Sequence, residues 1–187
     1  MSQESSKLAR IRLLAMDVDG VLTDGTIAFD SSGGQSKRFH VADGLGLVVL
    51  RQADILIAWV SGRADAVVAM RAEELQIAHL LQGVRDKGVA LEHLRTDLGL
   101  ARDEVAYIGD DWNDLLAFDA AGTRIAVANA AEEVKAQADL VTQAHGGEGA
   151  VREVCDALLE ARGIREASLK TYLESLRGPG ASRLSGQ

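Results

Sequence analysis

Short apolar runs alternate with longer amphipathic segments along most of the chain. The short runs are rich in Val, Ile and Leu, and each ends at polar or glycine residues, which is typical of buried strands. They cover residues 11–16, 55–60, 78–81, 105–108, 124–127 and 140–142. Segments with helical periodicity cover residues 44–52, 64–75, 87–98, 114–120, 131–138 and 149–161. Strands that alternate with single helices predict an α/β fold, a doubly wound, Rossmann-like parallel sheet with helices on both faces.

Two segments depart from this alternation. In residues 26–39, two short β-prone runs flank a turn-forming stretch of Asp, Ser and Gly, which predicts a β-hairpin projecting from the first connection. From Gly163 onward there are four basic and two acidic residues, with one helical stretch at 165–176 and a Gly- and Ser-rich end. The pattern therefore predicts one domain over residues 8–162 and a weakly helical to disordered basic tail over residues 163–187.

Composition narrows the functional classes. The 187 residues include 28 acidic and 20 basic ones, for a net charge of −8, which disfavours binding to nucleic acid or to anionic membranes. No apolar run approaches the roughly 20 residues of a membrane span, and the first residues lack the apolar region of a signal peptide. With Cys155 as the single cysteine, an internal disulfide and a cysteine-rich zinc site are excluded. We therefore expect a cytoplasmic location.

Polar residues follow four of the predicted strands, where the ligands of open α/β sheets bind. The first group is Asp17-Val18-Asp19-Gly20, and the second is Ser61-Gly62-Arg63. Taken singly, each has an ordinary explanation, as a strand-end turn or a helix cap. Lys87, which opens a predicted helix, is by itself a common surface charge.

The fourth group, Gly109-Asp110-Asp111-Trp112-Asn113-Asp114, has no such ordinary explanation. Three carboxylates within five positions repel one another, and a bound cation is the usual compensation. Because all the side-chain ligands are oxygen atoms, the group favours Mg²⁺.

Together, an Asp-x-Asp pair, a Ser, a Lys and an acidic cluster, each after its own strand, resemble the motif order of the haloacid dehalogenase-like phosphatases. The resemblance covers residues 11–162. It implies that Asp17 is the nucleophile that forms an aspartyl phosphate and that Asp19 is the general acid and base. Ser61 and Lys87 are implied to hold the phosphoryl oxygens.

The same resemblance implies a set of Mg²⁺ ligands. These are the carboxylates of Asp17 and Asp110 and the backbone carbonyl of Asp19, completed by waters. Asp111 and Asp114 are implied to act mainly through those waters. A signalling receiver domain has a similar set of residues, but its acidic pair precedes the phosphorylated Asp, whereas here the acidic cluster follows Lys87.

Spacing leaves no room for a cap domain. From Ser61 to Lys87 there are 87 − 61 = 26 positions, enough for one helix and one strand, and the hairpin is the one addition between Asp19 and Ser61. A core without a cap leaves its site open, so we expect a second subunit to complete it, with the hairpin as the donor of the interface. The alternative is a monomer that acts on large, exposed substrates.

The blocks DVDGVLTDG, KRFHVADGLG, VSGRADAVVAMRAEELQI and AYIGDDWNDL narrow the resemblance to the 3-deoxy-D-manno-octulosonate 8-phosphate phosphatases. That family is capless, Mg²⁺-dependent and tetrameric. The resemblance therefore implies release of phosphate from this sugar acid in lipopolysaccharide precursor synthesis. Two departures are Met16, where Phe is more usual, and Ser61, where Thr is common.

The remaining candidates would select the substrate. Arg63, with the neighbouring Gly62, and Arg71 are candidates for binding the sugar carboxylate, because an Arg fork matches a carboxylate. For Arg71, a helix-surface ion pair with Glu74 or Glu73 is an equal alternative. Arg63 favours the eight-carbon substrate over a nine-carbon sialic-type acid phosphate, which remains the alternative. Asp24 and Gly25 are expected to shape the base of the hairpin beside the site.

Overall fold

The computed structural model describes residues 3–177. Its strands are β1 (Leu13–Met16), β2 (Ala28–Phe29), β3 (Gln35–Ser36), β4 (Leu56–Val60), β5 (His79–Leu81), β6 (Val105–Gly109), β7 (Thr123–Ala126) and β8 (Leu140–Val141). Its α-helices are α1 (Gln3–Leu8), α2 (Val41–Gln52), α3 (Ala66–Glu74), α4 (Lys87–Asp97), α5 (Leu115–Ala120), α6 (Glu132–Gln137), α7 (Ala150–Ala161) and α8 (Arg165–Arg177). Two single turns of 3₁₀-helix lie at Arg102–Glu104 and Trp112–Asp114.

Six strands form one parallel sheet in the order β5-β4-β1-β6-β7-β8. The chain runs outward from β1 in one direction and then returns to pair β6 on its other side, so the sheet is doubly wound as predicted. Strand β1 is central, and all four of its residues are fully buried. The carboxyl end of β1 therefore lies at the reversal point, where open sheets of this kind bind ligands.

The hairpin is also confirmed. Strands β2 and β3 pair antiparallel as a separate two-stranded sheet, joined by a turn in which Asp30 accepts hydrogen bonds from the backbone of Ser32 and Gly34. Within residues 3–177, no other insertion interrupts the alternation of strands and helices, so the described chain carries no cap domain.

Two helices differ from those predicted by the hydrophobic pattern. Helix α2 begins at Val41, three residues before the predicted start, because Gly44 and Gly46 weaken the helical signal. Both glycines allow close packing: a Cβ on Gly44 would lie 2.5 Å from Arg71 Nη2, and one on Gly46 would lie 3.1 Å from Cys155 Sγ. Helix α1, which packs against α7, was not predicted at all.

Helix α8 forms over Arg165–Arg177 and packs against α2 and α7. The disorder predicted for the end of the tail falls on residues 178–187, which lie outside the described residues. The division into a domain at 8–162 and a tail at 163–187 therefore stays a prediction. No helix in the described part of the chain is long and apolar enough to cross a membrane.

Candidate active site

Parallel pairing places the candidate residues at one edge of the sheet. Asp17 follows β1, Ser61 follows β4 and Asp110 follows β6, and β1 pairs with both of the other strands. Lys87 is the first residue of α4, after β5. Because these four positions lie at the carboxyl ends of adjacent strands, the fold itself brings the motifs together.

Lys87 lies between two carboxylates. Its Nζ is 2.8 Å from Asp17 Oδ1 and 2.7 Å from Asp114 Oδ1, and its side chain is 1% exposed. Burial works against a charge on this lysine, but the two carboxylates outweigh it and raise the pKa of Lys87. The ammonium is thus fixed beside Asp17, where it can neutralise charge on a bound phosphoryl group.

Asp114 is fully occupied by protein donors. Its Oδ1 accepts from Lys87 and, at 2.8 Å, from Tyr107 Oη, and its Oδ2 accepts from the backbone N–H groups of Asp110 (2.9 Å) and Asp111 (3.3 Å). These bonds fix the loop after β6. They suit a carboxylate that positions other groups, so the indirect role expected of Asp114 and Asp111 remains a prediction.

The carboxylates of Asp17, Asp110 and Asp114 form a compact group, with one oxygen of each lying within 4.8 Å of the others. Burial, together with the charge of Asp114, raises the pKa of Asp17 to about 6. Burial and the charges of Asp17 and Asp114 raise the pKa of Asp110 to about 8. With all three carboxylates ionised, the group would hold more negative charge than Lys87 alone can balance, and the raised pKa values of Asp17 and Asp110 reflect that repulsion.

The donor set fits a divalent cation. Asp110 Oδ1 is buried and has no hydrogen-bond partner in the described protein, which is costly unless a ligand supplies one. Gly20, with φ +101°, faces the same carboxylate, and a Cβ there would lie 2.0 Å from Asp110 Oδ2. Glycine at this position therefore lets the loop after β1 approach the Asp110 carboxylate closely, and the three carboxylates offer the oxygen ligands that a hard cation requires.

The second motif forms a polar loop at the start of the next helical segment. Ser61 is 1% exposed, and its Oγ accepts a hydrogen bond from the Arg63 backbone N–H at 3.2 Å. Gly62 and Arg63 are exposed. The loop can therefore offer a hydroxyl and backbone amides to an anion, with the Arg63 guanidinium free to reach a larger ligand.

Asp19 faces the hairpin and contacts a residue that the sequence pattern did not single out. Lys37, which follows β3, places its Nζ 2.5 Å from Asp19 Oδ1 and 2.8 Å from Asp65 Oδ2. The Lys37 side chain has no exposed surface. Asp19 is thus part of a second buried group, separate from the three carboxylates of the cation site.

The expected substrate-binding residues lie in different places. Arg71 pairs with Glu74 at 2.7 Å and lies over the Phe39 ring at 5.9 Å, so the ion pair that the sequence offered as an alternative is formed. Asp24 accepts from Thr26 N and pairs with Arg38 at 3.0 Å. Gly25 is exposed and adopts φ +77° at the base of the hairpin. Their roles toward a substrate stay predictions.

Three residues of the site were missed by sequence reasoning. Tyr107 looked like one more apolar residue of a buried strand, although its hydroxyl binds Asp114. Asp65 lies inside the helical segment predicted at 64–75, but an Asp so close to its start is a favoured N-cap, and its Oδ1 does accept from Val67 N. Lys37 had no local signal, since a single lysine in a hairpin is indistinguishable from a solvated one.

Comparison with known proteins supplies independent observations. The family model of the haloacid dehalogenase-like hydrolases matches residues 47–154. A 3-deoxy-D-manno-octulosonate 8-phosphate phosphatase of Haemophilus influenzae is 42% identical over 176 residues, which cover 93% of this chain and 98% of the relative.

Solved structures agree with this match. The 3-deoxy-D-manno-octulosonate 8-phosphate phosphatase of Moraxella catarrhalis, in complex with magnesium ion, phosphate ion and a KDO molecule, has 45% identity and a TM-score of 0.88. The match covers 92% of this chain and 99% of that one. The cobalt-bound phosphatase of Haemophilus influenzae has 42% identity and a TM-score of 0.85, over 89% of this chain and 99% of the other.

Proposed function

The chain belongs to the haloacid dehalogenase-like hydrolases, and from that premise we propose that it hydrolyses 3-deoxy-D-manno-octulosonate 8-phosphate to the free sugar acid and phosphate. The observation that carries the proposal is the buried contact of Lys87 with Asp17 beside Asp110, in a chain that matches phosphatases of this substrate over nearly its full length. The proposed place of the reaction is lipopolysaccharide precursor synthesis in the cytoplasm.

The first chemical step uses Asp17 and Asp19. A carboxylate oxygen of Asp17 attacks phosphorus, and the bond from phosphorus to the sugar oxygen breaks. Asp19, two residues further along the same loop, gives a proton to the departing alkoxide. The products of this step are the free sugar acid and an aspartyl phosphate on Asp17.

The second step regenerates the enzyme. A water molecule attacks the phosphorus of the aspartyl phosphate, Asp19 takes a proton from that water, and Asp17 leaves as a carboxylate. Lys87 and the Ser61 hydroxyl hold the non-bridging oxygens through both steps. Tyr107 and Asp114 keep Lys87 and the Asp110 loop in place.

Mg²⁺ is the proposed cofactor, held by Asp17, Asp110 and the backbone carbonyl of Asp19. When bound, it neutralises charge that develops on the phosphoryl oxygens. The unpartnered Asp110 oxygen supports this assignment, as does the magnesium ion in the Moraxella catarrhalis complex.

The proposed assembly is a homotetramer in which neighbouring subunits complete each site. The small hairpin sheet pairs with no other strand in the described residues, and the side chain of Phe29 is 66% exposed on it. Val41, just after the hairpin, is 80% exposed. Such apolar surface beside an open site suits coverage by a second copy of the chain. Light scattering coupled to size-exclusion chromatography measures the assembly, and a clean monomer contradicts it.

The test of the function compares three substrates with Mg²⁺ present. Phosphate release is measured from 3-deoxy-D-manno-octulosonate 8-phosphate, from a nine-carbon sugar acid phosphate and from a hexose phosphate. We expect the highest kcat/KM for the first substrate. In an Arg63→Ala variant, we expect KM for that substrate to rise about tenfold, so that its advantage over the other two falls by the same factor. Equal rates on all three substrates would contradict the substrate, and no release from any would contradict the reaction.

A further inference from the structure

Asp19 and Lys37 form a contact that the reaction as written does not use. Asp19 lies on the loop after β1, whereas Lys37 follows the second strand of the hairpin. Their atoms Oδ1 and Nζ are 2.5 Å apart, and no surface of the lysine side chain reaches solvent. Burying an ammonium group is costly unless opposite charges compensate it, so the two carboxylates beside Lys37 are needed for its burial.

Asp65 supplies that fixed partner. Its Oδ2 contacts Lys37 Nζ at 2.8 Å and accepts from Gln35 Nε2 at 2.6 Å, while its Oδ1 caps α3 through Val67 N. Burial by itself would raise the pKa of Asp65, but Lys37 and the Val67 amide outweigh burial and lower it. Asp65 is therefore a stable anion that anchors the hairpin lysine to the start of α3.

Asp19 is the most exposed member of the group. Its side chain is 19% exposed, against 4% for Asp65 and none for Lys37. Asp19 is also two residues from Asp17, yet it is absent from the carboxylates of residues 3–177 that lie close enough to share one cation. A free carboxylate at this position could turn toward a cation beside Asp17, because added negative charge strengthens binding of a hard cation.

We propose that Lys37 is a positioning residue that holds the Asp19 carboxylate on the hairpin side of the site and keeps it out of the cation site. The contact reserves Asp19 for proton transfer, since a carboxylate bound to the cation could not carry a proton to the leaving group. The hairpin thereby sets the geometry of the acid and base, in addition to any role at a subunit interface. This inference rests on the proposed function for the meaning of Asp19, while its effect on cation binding can be measured without turnover.

The test uses Lys37→Met, which removes the charge and keeps the length of the side chain. Lys7→Met is the matched control, because Lys7 also pairs with an aspartate, Asp139, at 3.0 Å, but at the opposite end of the sheet. Calorimetric titration with Mg²⁺ alone, without substrate, gives the first readout. We expect Lys37→Met to bind Mg²⁺ about tenfold more tightly, since Asp19 is released toward the ion. The double variant Lys37→Met/Asp19→Asn and the control should bind as the unaltered protein does.

Turnover gives the second readout, with two leaving groups. For the sugar acid phosphate, whose alkoxide needs a proton, kcat of Lys37→Met should fall about 10²-fold with KM little changed. For p-nitrophenyl phosphate, whose leaving group needs no acid, a fast burst of nitrophenol should precede slow turnover, because the water step still lacks its base. Lys37→Arg, which keeps the charge, should recover part of both losses and serves in place of Lys37→Met if that variant does not fold.

The outcomes separate the two claims. Unchanged Mg²⁺ affinity in a folded Lys37→Met protein, or equal loss of kcat on both substrates without a burst, overturns the role of Lys37. If the unaltered protein hydrolyses neither ester, the proposed function fails, and the Mg²⁺ titration still decides whether Lys37 keeps Asp19 from the cation site.

Discussion

Two buried lysines sit on either side of the catalytic loop, and each bridges a pair of carboxylates. Lys87 joins Asp17 to Asp114, and Lys37 joins Asp19 to Asp65. The first lysine begins a helix of the main fold, whereas the second follows a two-residue strand of a small separate sheet. A buried lysine therefore contacts the nucleophile Asp17 from a helix of the main fold, and another contacts the acid and base, Asp19, from the hairpin.

The difference suggests a division of labour. The parts that bind phosphate and a cation lie at strand ends whose positions the sheet fixes. Lys37, which positions Asp19, lies in the hairpin, and a neighbouring subunit covers the exposed faces of the hairpin in the proposed tetramer. Assembly and acid-base catalysis would then share one structural element, while phosphate binding would not depend on it.

The largest effect is expected at Asp17, which lies on the Lys87 side. Asp17→Asn removes the nucleophile and should lower kcat by at least about 10⁴-fold, while the fold persists, because Asn keeps the size of the side chain. Circular dichroism checks the fold, and phosphate release checks the activity. Activity within tenfold of the unaltered protein would remove Asp17 from the role of nucleophile.

Lys87→Met should come next in size. Removing this ammonium takes away the charge that pairs with the buried carboxylates of Asp17 and Asp114, which costs about 3–5 kcal/mol in unfolding free energy. We also expect kcat to fall about 10³-fold, in keeping with the loss of a preorganised charge beside the phosphoryl group. Urea unfolding gives the stability, and Lys135→Met on α6 is the control, because Lys135 is partly exposed and pairs with Glu132 away from the site. A stable variant with near-normal kcat would contradict the assigned contact.

Asp65→Asn tests the hairpin side more gently than a change at Lys37 itself. The amide keeps its shape but loses the charge that anchors Lys37, so kcat on the sugar acid phosphate should fall about tenfold. With p-nitrophenyl phosphate, whose leaving group needs no acid, the first burst of nitrophenol should keep nearly its normal rate while the later turnover slows. A burst that slows as much as turnover of the sugar acid phosphate would indicate a general disturbance of α3 instead.

The smallest expected effect is a shift of thermal stability with pH and Mg²⁺. The folded-state pKa values of Asp17, about 6, and Asp110, about 8, exceed the ordinary value of 3.8, so the folded protein retains protons that the unfolded chain releases. Their contribution to stability is complete below about pH 4 and is lost as the pH rises through 6 and 8. Without metal, Tm should therefore fall between pH 5 and pH 8.5.

Mg²⁺ should restore the thermal stability that is lost when Asp17 and Asp110 ionise. Because a metal binds ionised carboxylates, the increase in Tm on adding Mg²⁺ should be larger at pH 8 than at pH 5, by at least about 3 °C. A chelator should reverse the increase. Asp110→Asn should lose most of it, and an equal increase at both pH values would argue against these two carboxylates as the binding groups.

Much of the fold and of the candidate site could be predicted from the sequence, because local patterns determine it. The six-stranded sheet, the hairpin and the positions of Asp17, Ser61, Lys87 and Asp110 follow from local patterns, since parallel strands end at a common edge. The magnesium expectation follows from the crowding of acidic residues after β6.

Contacts between distant segments could not be predicted in the same way. The pairing of Lys37 with Asp19 and Asp65 depends on how the hairpin folds back over the loop after β1, and no periodicity records that. The extra turn of α2 was missed because Gly44 and Gly46 lower helix propensity, although they allow the helix to pack against Arg71 and Cys155.

The central claim is that Asp17 carries the phosphoryl group, with Lys87 beside it and Lys37 positioning Asp19. Trapping the intermediate tests this claim. The protein is quenched during turnover of 3-deoxy-D-manno-octulosonate 8-phosphate with Mg²⁺, treated with borohydride to reduce any acyl phosphate, and its peptides are examined by mass spectrometry. The account predicts reduction at Asp17 alone and none in Asp17→Asn. With p-nitrophenyl phosphate, which forms the intermediate without an acid, it predicts more reduction in Lys37→Met than in the unaltered protein. Reduction at another carboxylate, or unimpaired turnover with none trapped in Lys37→Met, would contradict it.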